Sequence, residues 1–177
     1  MEDYQLDDIV FDPRAAIAPG HTAQLLIIAV DDVETVPPLL TSADDDFRPL
    51  TLKGNIDLKA DKKWTKVDIE VESADFIEEV VGNGEGTHLK TELPFKIVGS
   101  SREQKAAIHK LHKRRIMVVI TDKALEKRVV GSKEFPCRIK YKATKGTGEG
   151  GYNGTEMSLA VPVMTDPWPY YDGDLVL

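Results

Sequence analysis

The sequence has few of the residues that build cross-linked, metal-bound or membrane-spanning structure. Cys137 is the single cysteine among 177 residues, which excludes an internal disulfide and a cysteine-based zinc site. The longest apolar runs, LLIIAV at 25–30 and IMVVI at 116–120, are too short to cross a bilayer as a helix. The first residues, MEDYQLDDIVFDPR, lack the basic and apolar regions of a signal peptide. We therefore expect an intracellular protein.

Basic residues are scarce at both ends of the chain. Residues 1–46 hold eleven acidic residues against Arg14 alone, and residues 146–177 hold five acidic residues and no base. Residues 102–145 hold fourteen bases against four acids, although the whole chain has a net charge of −7. This segregation predicts attraction between the ends and the middle, within one chain or between copies. The alternative is that each charged run is a solvated face.

Alternation of apolar and polar residues dominates the rest of the sequence. Its length and its content of 41% hydrophobic and 30% charged residues are typical of one globular domain. Period-two alternation predicts strands with one buried face, as in antiparallel sheets. The alternating segments are 49–59, 65–72, 89–97, 137–142 and 157–163. The runs QLLIIAV and RIMVVIT are apolar throughout, which predicts central strands covered on both faces.

One helix is predicted, over residues 100–113 (SSREQKAAIHKLHK). A capping box is available in either register, from Ser100 to Glu103 or from Ser101 to Gln104. Three apolar residues then form a narrow stripe, and basic residues gather at the C-terminal end, where the helix dipole favours them. One helix with seven to nine strands predicts a mainly β fold, an antiparallel β-sandwich or barrel flanked by a helix.

Glycines concentrate in two similar stretches, GNGEG at 82–86 and GTGEG at 146–150. The second contains a G-x-G-x-x-G pattern, but a strand-like segment follows it instead of the helix that a dinucleotide site requires. Both stretches therefore predict hairpin tips, whether by internal duplication or by chance resemblance. Glycine-rich tips often order only against a partner. We predict assembly contacts at Gly82, Gly84, Gly86, Gly146, Gly148, Gly150 and Gly151.

The C-terminal residues, TDPWPYYDGDLVL, mix acids, prolines and large apolar side chains. Trp168, Tyr170 and Tyr171 belong to the amphipathic types that are enriched at interfaces, and we predict them as further assembly contacts. The alternative is that this tail folds back on its own domain. The expected organisation is an acidic N-terminal arm over 1–20, a β-sandwich or barrel over 21–164, and a C-terminal tail over 165–177.

No set of residues predicts catalysis, a cofactor or a metal site. His109 and His112 are correctly spaced on the helix for a shared metal, but no acidic or cysteine partner accompanies them and bases surround them. Cys137 stands on the apolar face of its strand, as a small buried hydrophobic residue does. Nothing marks the carboxylate pair Glu78 and Glu79 as buried. We therefore expect no enzyme and no small-molecule substrate.

The basic segment HKLHKRR, residues 109–115, is the best signal for nucleic-acid binding. The chain is acidic overall, with a pI near 5.1, and no aromatic residues alternate with these bases. Complementarity to the helix dipole and attraction to the acidic arm are favoured over direct binding of DNA.

Taken together, the layout resembles tail-tube and related tail proteins of tailed bacteriophages and prophages, and more distantly the tubes of contractile injection systems. It is carried by the helix SSREQKAAIHKLHKRR leading into RIMVVIT, a hairpin ending VVGS, paired strands around KGTGEGGYNG, and the ending PWPYYDG. The resemblance implies two packed antiparallel sheets with a flanking helix, in rings, commonly hexameric, that stack into a hollow tube. It further implies a virion structural protein, present in the host cytoplasm during assembly and partnered by its own copies and other tail proteins. DNA is then transported cargo, and no membrane is involved.

A monomeric β-sandwich that binds a small ligand or a carbohydrate is the alternative. Trp64, on the polar face of its strand, is the one aromatic residue that the sequence offers for stacking on a sugar. An enzyme on a β-barrel is a third possibility, for which no residue can be nominated. The tube hypothesis predicts concentration-dependent rings or tubes, whereas the other two predict a monomer.

Overall fold

The fold consists of ten β-strands and one α-helix among the described residues. The structure, a computed structural model, describes residues 22–41, 43–44, 48, 50–70, 74, 76–82, 88–99, 101–121, 126–145, 153–164 and 166–177. The predicted acidic arm over 1–20 lies outside them. The elements are β1 (Thr22–Ala29), β2 (Val33–Thr35), β3 (Asp57–Leu58), β4 (Thr65–Glu70), β5 (Ile77–Val81), β6 (His88–Val98), α1 (Arg102–His112), β7 (Ile116–Thr121), β8 (Lys127–Val130), β9 (Arg138–Lys145) and β10 (Asn153–Ala160). The predicted mainly β fold with one flanking helix is confirmed.

Two four-stranded antiparallel sheets form the body of the domain. One has the strand order β4-β1-β7-β8 and is called the covered sheet below, because protein packs on both of its faces. The other has the order β5-β6-β10-β9 and is called the open sheet, because one of its faces is exposed. Strands β2 and β3 form a separate short pair. Ten strands exceed the predicted seven to nine by one, and this pair, of three and two residues, supplies two of the ten.

The first hydrophobic core lies between the two sheets and under the helix. Leu25 and Ile27 of β1 face Phe95 of β6 and Met157 of β10 across it, and each is at most 3% exposed. The sheets also join at one corner, where Cys137 and Ile116 exchange two backbone hydrogen bonds of 2.9 and 3.0 Å. Burying large apolar side chains contributes about 1.5–3 kcal/mol each, so this core is the main source of stability.

A second core covers the other face of the covered sheet. Because side chains alternate along a strand, the residues between those of the first core point outward, and Leu26, Ile28, Met117 and Val119 are all at most 6% exposed. Leu52, Ile56, Trp64 and Tyr171 pack over them. The prediction that QLLIIAV and RIMVVIT form central strands covered on both faces is confirmed.

The helix α1 begins with the second of the two predicted capping boxes. The Ser101 hydroxyl accepts a hydrogen bond from the Gln104 amide, and the Gln104 side chain accepts one from the Ser101 amide, both at 3.1 Å. The buried positions of the helix are Gln104, Ala107, Ile108 and Leu111, so the predicted apolar stripe packs on the first core. The helix therefore lies against the domain with its basic residues exposed.

Residues 49–59 do not form the single strand that their alternation predicts. Leu50 has a φ of 57° and is 36% exposed, and Gly54 has a φ of 94°. A strand cannot continue through these left-handed conformations, so the chain bends at both positions. Leu52 and Ile56 still reach the second core, but they do so on either side of a turn.

Candidate assembly interface

Among the described residues, the two edge strands of the open sheet pair with no further strand, and they carry opposite charges. Its edge strand β5 (IEEVV) contains two carboxylates and no base, whereas its other edge strand, β9 (RIKYKATK), contains four bases and no acid. The two strands are separated by β6 and β10, so the acidic and basic edges lie on opposite sides of one sheet. Such an arrangement suits contact between unlike edges of two copies.

The β5 edge is unpaired within the described part of the chain. All five of its residues pair with β6 on one side, from Ile77↔Glu92 to Val81↔His88. No described strand pairs with its other side. Ile77 is 45% exposed and Val80 is 67% exposed, so apolar surface accompanies the free backbone groups. An edge of this kind is a template for another strand.

The β9 edge is covered at its start and free farther along. Cys137, just before the strand, pairs with Ile116, and His112 Nδ1 lies 3.1 Å from the carbonyl oxygen of Ile139. The ring of His112 also contacts the edge of the Tyr141 ring, with centroids 5.6 Å apart. Backbone groups of alternate residues point to the same side of a strand, so Tyr141 and Ala143 present theirs at the free edge. No backbone hydrogen bond among the described residues uses that side beyond Ile139.

The connections that contain the predicted glycine contacts leave the open sheet at opposite ends. The β5–β6 connection follows the pair Val81↔His88, while the β9–β10 connection follows Lys145↔Asn153, beside the far end of β6. The eleven residues of β6 separate these ends by about 33 Å at the usual rise per residue. Gly82 is exposed and has a φ of 121°. The other six predicted glycines lie outside the described residues: Gly84, Gly86, Gly146, Gly148, Gly150 and Gly151.

The C-terminal tail folds back on its own domain, which is the second of the two alternatives stated above. Trp168 is 4% exposed, and its Nε1 donates a 3.0 Å hydrogen bond to the Thr91 hydroxyl. Tyr171 is 1% exposed, and its hydroxyl donates to the carbonyl oxygen of Asp174 at 2.8 Å. Contacts within the chain thus replace the intermolecular ones predicted for these two residues. Tyr170 is half-buried and keeps some exposed surface.

Of the side chains that the sequence offered for catalysis, Cys137 is buried and Glu78 is paired with another residue of the fold. Cys137 is fully buried, and burial raises the pKa of its thiol to about 12, so it is not a nucleophile at neutral pH. The described residues include no cluster of three or more side chains that could hold a metal ion. Glu78 is only 20% exposed and pairs with Arg128 at 2.8 Å, a contact that the sequence did not indicate.

Surface depressions offer little for a small ligand. One of about 500 Å³ is lined by Asp44, Arg48, Lys53 and Asp172, but these charges pair with each other as Asp44 with Lys53 and Arg48 with Asp172. Trp64 is 2% exposed and packs in the second core, so the expectation that it stands on a polar face is wrong. It cannot stack on a sugar there.

No family model, curated protein or solved structure matches this chain. Among the described residues, no helix has both the length and the apolar character needed to span a membrane.

Proposed function

We propose that this chain is a structural protein of a phage or prophage tail that assembles with its own copies into rings or a tube. The observation that carries the proposal is the pair of free, oppositely charged edges on one sheet. Joining the β5 edge of one copy to the β9 edge of the next satisfies the free backbone groups of both strands.

The geometry of such a contact favours closed assemblies. Each copy uses two different edges, so the contact is head-to-tail and repeats in one direction, which yields a ring when the rotation closes. Glu79 points to the exposed face of the open sheet, because it is paired with Lys90. Lys142 points to the same face through its pairing with Glu156, which itself pairs with Lys96. Opposite charges on one face of adjoining strands contribute about 0.2–1 kcal/mol per pair.

Stacking of rings is the role that we propose for the glycine-rich connections. The described strand ends that flank them, Val81↔His88 and Lys145↔Asn153, are at the two ends of the open sheet, which are the sides that a second ring above or below would meet. Deleting residues 146–152 and joining Lys145 to Asn153 by an Asn-Gly turn should abolish tubes and leave the fold intact, because the strand pairs from Lys145↔Asn153 onward are kept. Electron microscopy and circular dichroism measure the two outcomes. Tubes of normal length from the deleted chain would contradict this role.

The charge of the exposed face of the open sheet indicates whether this face could line the channel for DNA in the proposed ring. Its outward side chains include five cations and three carboxylates: Lys90, Lys96, Arg138, Lys140, Lys142, Glu79, Glu92 and Glu156. A face with excess cations would hold DNA phosphates and slow their passage. We therefore propose that this face lies on the outside of the ring and that acidic parts of the chain line the channel.

A charge exchange tests the edge contact. Glu79→Lys and Lys142→Glu each place like charges at every interface of a ring, and each should give monomers in light scattering across a concentration series. In a ring where the two variants alternate, every interface again joins opposite charges, so the mixture should assemble into rings with an even number of copies. Lys105→Glu, on the exposed face of α1, is the matched control and should assemble normally.

Two results would contradict the proposal. A wild-type chain that stays monomeric at all concentrations would favour the ligand-binding alternative. Single variants that assemble as well as the wild type would show that copies join elsewhere.

A further inference from the structure

The C-terminal tail occupies the edge of the covered sheet as an additional strand. The amide of Val129 donates to Pro169 O, and the amide of Tyr171 donates to Lys127 O, both at 2.9 Å. On its other side, Tyr170 exchanges backbone hydrogen bonds with Leu50 and Leu52 at 2.7 and 3.0 Å. The tail thus lies between β8 and residues 50–52 and fills an edge that would otherwise be free.

A side-chain clamp holds this strand in place. The Arg128 guanidinium donates to the Glu78 carboxylate at 2.8 Å and to the Tyr170 hydroxyl at 2.5 Å. Its carbon lies 4.5 Å from the centre of the Tyr170 ring and 5.3 Å from that of Phe76. The clamp connects β8, β5 and the tail, because each supplies one of its members. Stacking and charge-assisted hydrogen bonds of this kind are among the stronger polar contacts in proteins.

The clamp also contains an unfavourable element. Oε1 of Glu78 is buried and accepts no hydrogen bond from the described residues. A desolvated carboxylate oxygen without a donor raises the free energy of the closed state and offsets part of what the clamp contributes. The clamp is therefore the part of the attachment that a single substitution can weaken, whereas Trp168 and Tyr171 are held by burial.

The edge beneath the tail would be adhesive if it were exposed. β8 ends in Val129 and Val130, which are at most 2% exposed, and it adjoins the apolar strand β7. A free edge beside such a surface pairs readily with another chain. The open sheet leaves both edges free for contact, whereas here the chain covers an edge with its own residues.

We propose that the tail is a removable cover that keeps the β8 edge of the covered sheet from pairing with a second copy of this chain. The claim that the tail confines assembly to the open sheet rests on the proposed function. The claim that the tail covers the β8 edge is independent of that function. A copy with an open tail would join a second copy through β8.

Weakening the clamp in the full-length chain tests this inference. Arg128→Gln removes the guanidinium, and Tyr170→Ala removes the ring and hydroxyl that it contacts. Each should speed hydrogen exchange at the Val129 and Tyr171 amides by about tenfold or more, as expected for losing a charge-assisted hydrogen bond, and leave the Ile27 amide unchanged. Each should also produce a concentration-dependent dimer in which the Val129 amide is protected again. Arg102→Gln, at the exposed start of α1, is the matched control.

The measurement is made in the Lys142→Glu background, or in the wild-type chain if that proves monomeric. In that background the open sheet no longer joins copies, so any dimer that forms reports association through β8. The proposed tube function and the proposed role of the tail can therefore fail independently. Faster exchange in a chain that stays monomeric would overturn the inference. Unchanged exchange in both variants would overturn it as well, because the clamp would then not hold the tail.

Discussion

The covered and open sheets are both four-stranded and antiparallel, but they differ in what lies on their outer faces. The covered sheet has Met117 and Val119 there, buried under the tail and residues 30–64, whereas the open sheet has charged residues in water. The β8 edge of the first is filled by the tail, whereas in the described part of the chain no strand pairs with the outer side of β5 or with that of β9 beyond Ile139. The covered sheet thus adds a second core to the one that both sheets share, and the open sheet supplies the edges that we propose for assembly.

A charge placed on each outer face should break this comparison most strongly. Val119→Asp buries an unpaired carboxylate in the second core, which should cost more than about 4 kcal/mol and unfold much of the population. Ser158→Asp introduces the same group on the outer face of the open sheet, opposite Lys140, and should change stability by less than about 0.5 kcal/mol. Urea unfolding followed by circular dichroism measures both. Equal losses would show that the two outer faces are alike.

A loss of stability of intermediate size is expected from a substitution at the corner where the two sheets join. Gly131 and Gly54 both have a φ of 94°, but a Cβ on Gly131 would lie 2.9 Å from Cys137 Sγ, whereas one on Gly54 meets nothing within 4 Å. Gly54→Ala should cost about 1–2 kcal/mol for the left-handed backbone alone. Gly131→Ala should cost about 1–3 kcal/mol more, because the corner is overpacked. Similar denaturation midpoints for the two variants would rule out a tightly packed junction.

The smallest effect on stability is expected at Asp44, which contacts Lys53 and Thr41 in the loops that pack near the second core. The hydrogen bond from Lys53, followed by that from the Thr41 amide, lowers the pKa of Asp44 from 3.8 to about 2. A lowered pKa means that this contact stabilises the fold above pH 3.8 and that the contribution disappears as the pH falls through about 2. Lys53→Met should move the carboxyl titration, followed by NMR, back toward 3.8. A midpoint that stays near 2 would assign the shift to Thr41.

Local sequence pattern was enough to predict most of the two sheets. Alternation located β4, β6, β9 and β10, and uniform apolar runs identified β1 and β7, because burial of one or both faces directly dictates those patterns. The helix was predicted within two residues at its start and one at its end, since its cap and stripe are local features.

Features that depend on distant residues could not be predicted in this way. The strand predicted over 49–59 fails because Thr51 is buried beside the tail and the chain turns at Gly54. Likewise, Arg128 meets Glu78 and Tyr170 across 50 and 42 residues of sequence, and no local spacing encodes such contacts. The opposite charges of β5 and β9 are visible in the sequence, but only the strand order shows that both are edges.

The burial of Cys137 has a practical consequence for studying assembly. Maleimides and methanethiosulfonate spin labels are electrophiles that react with thiolates, and a fully enclosed thiol with a pKa of about 12 presents almost no thiolate at neutral pH. Cys137 therefore will not react with the label, and it need not be removed before an introduced cysteine is labelled. A probe attached through Lys105→Cys, on the exposed face of α1 and outside the proposed contact, would be the sole label on its copy, and spectroscopic distances between neighbouring probes would then report the geometry of the proposed ring.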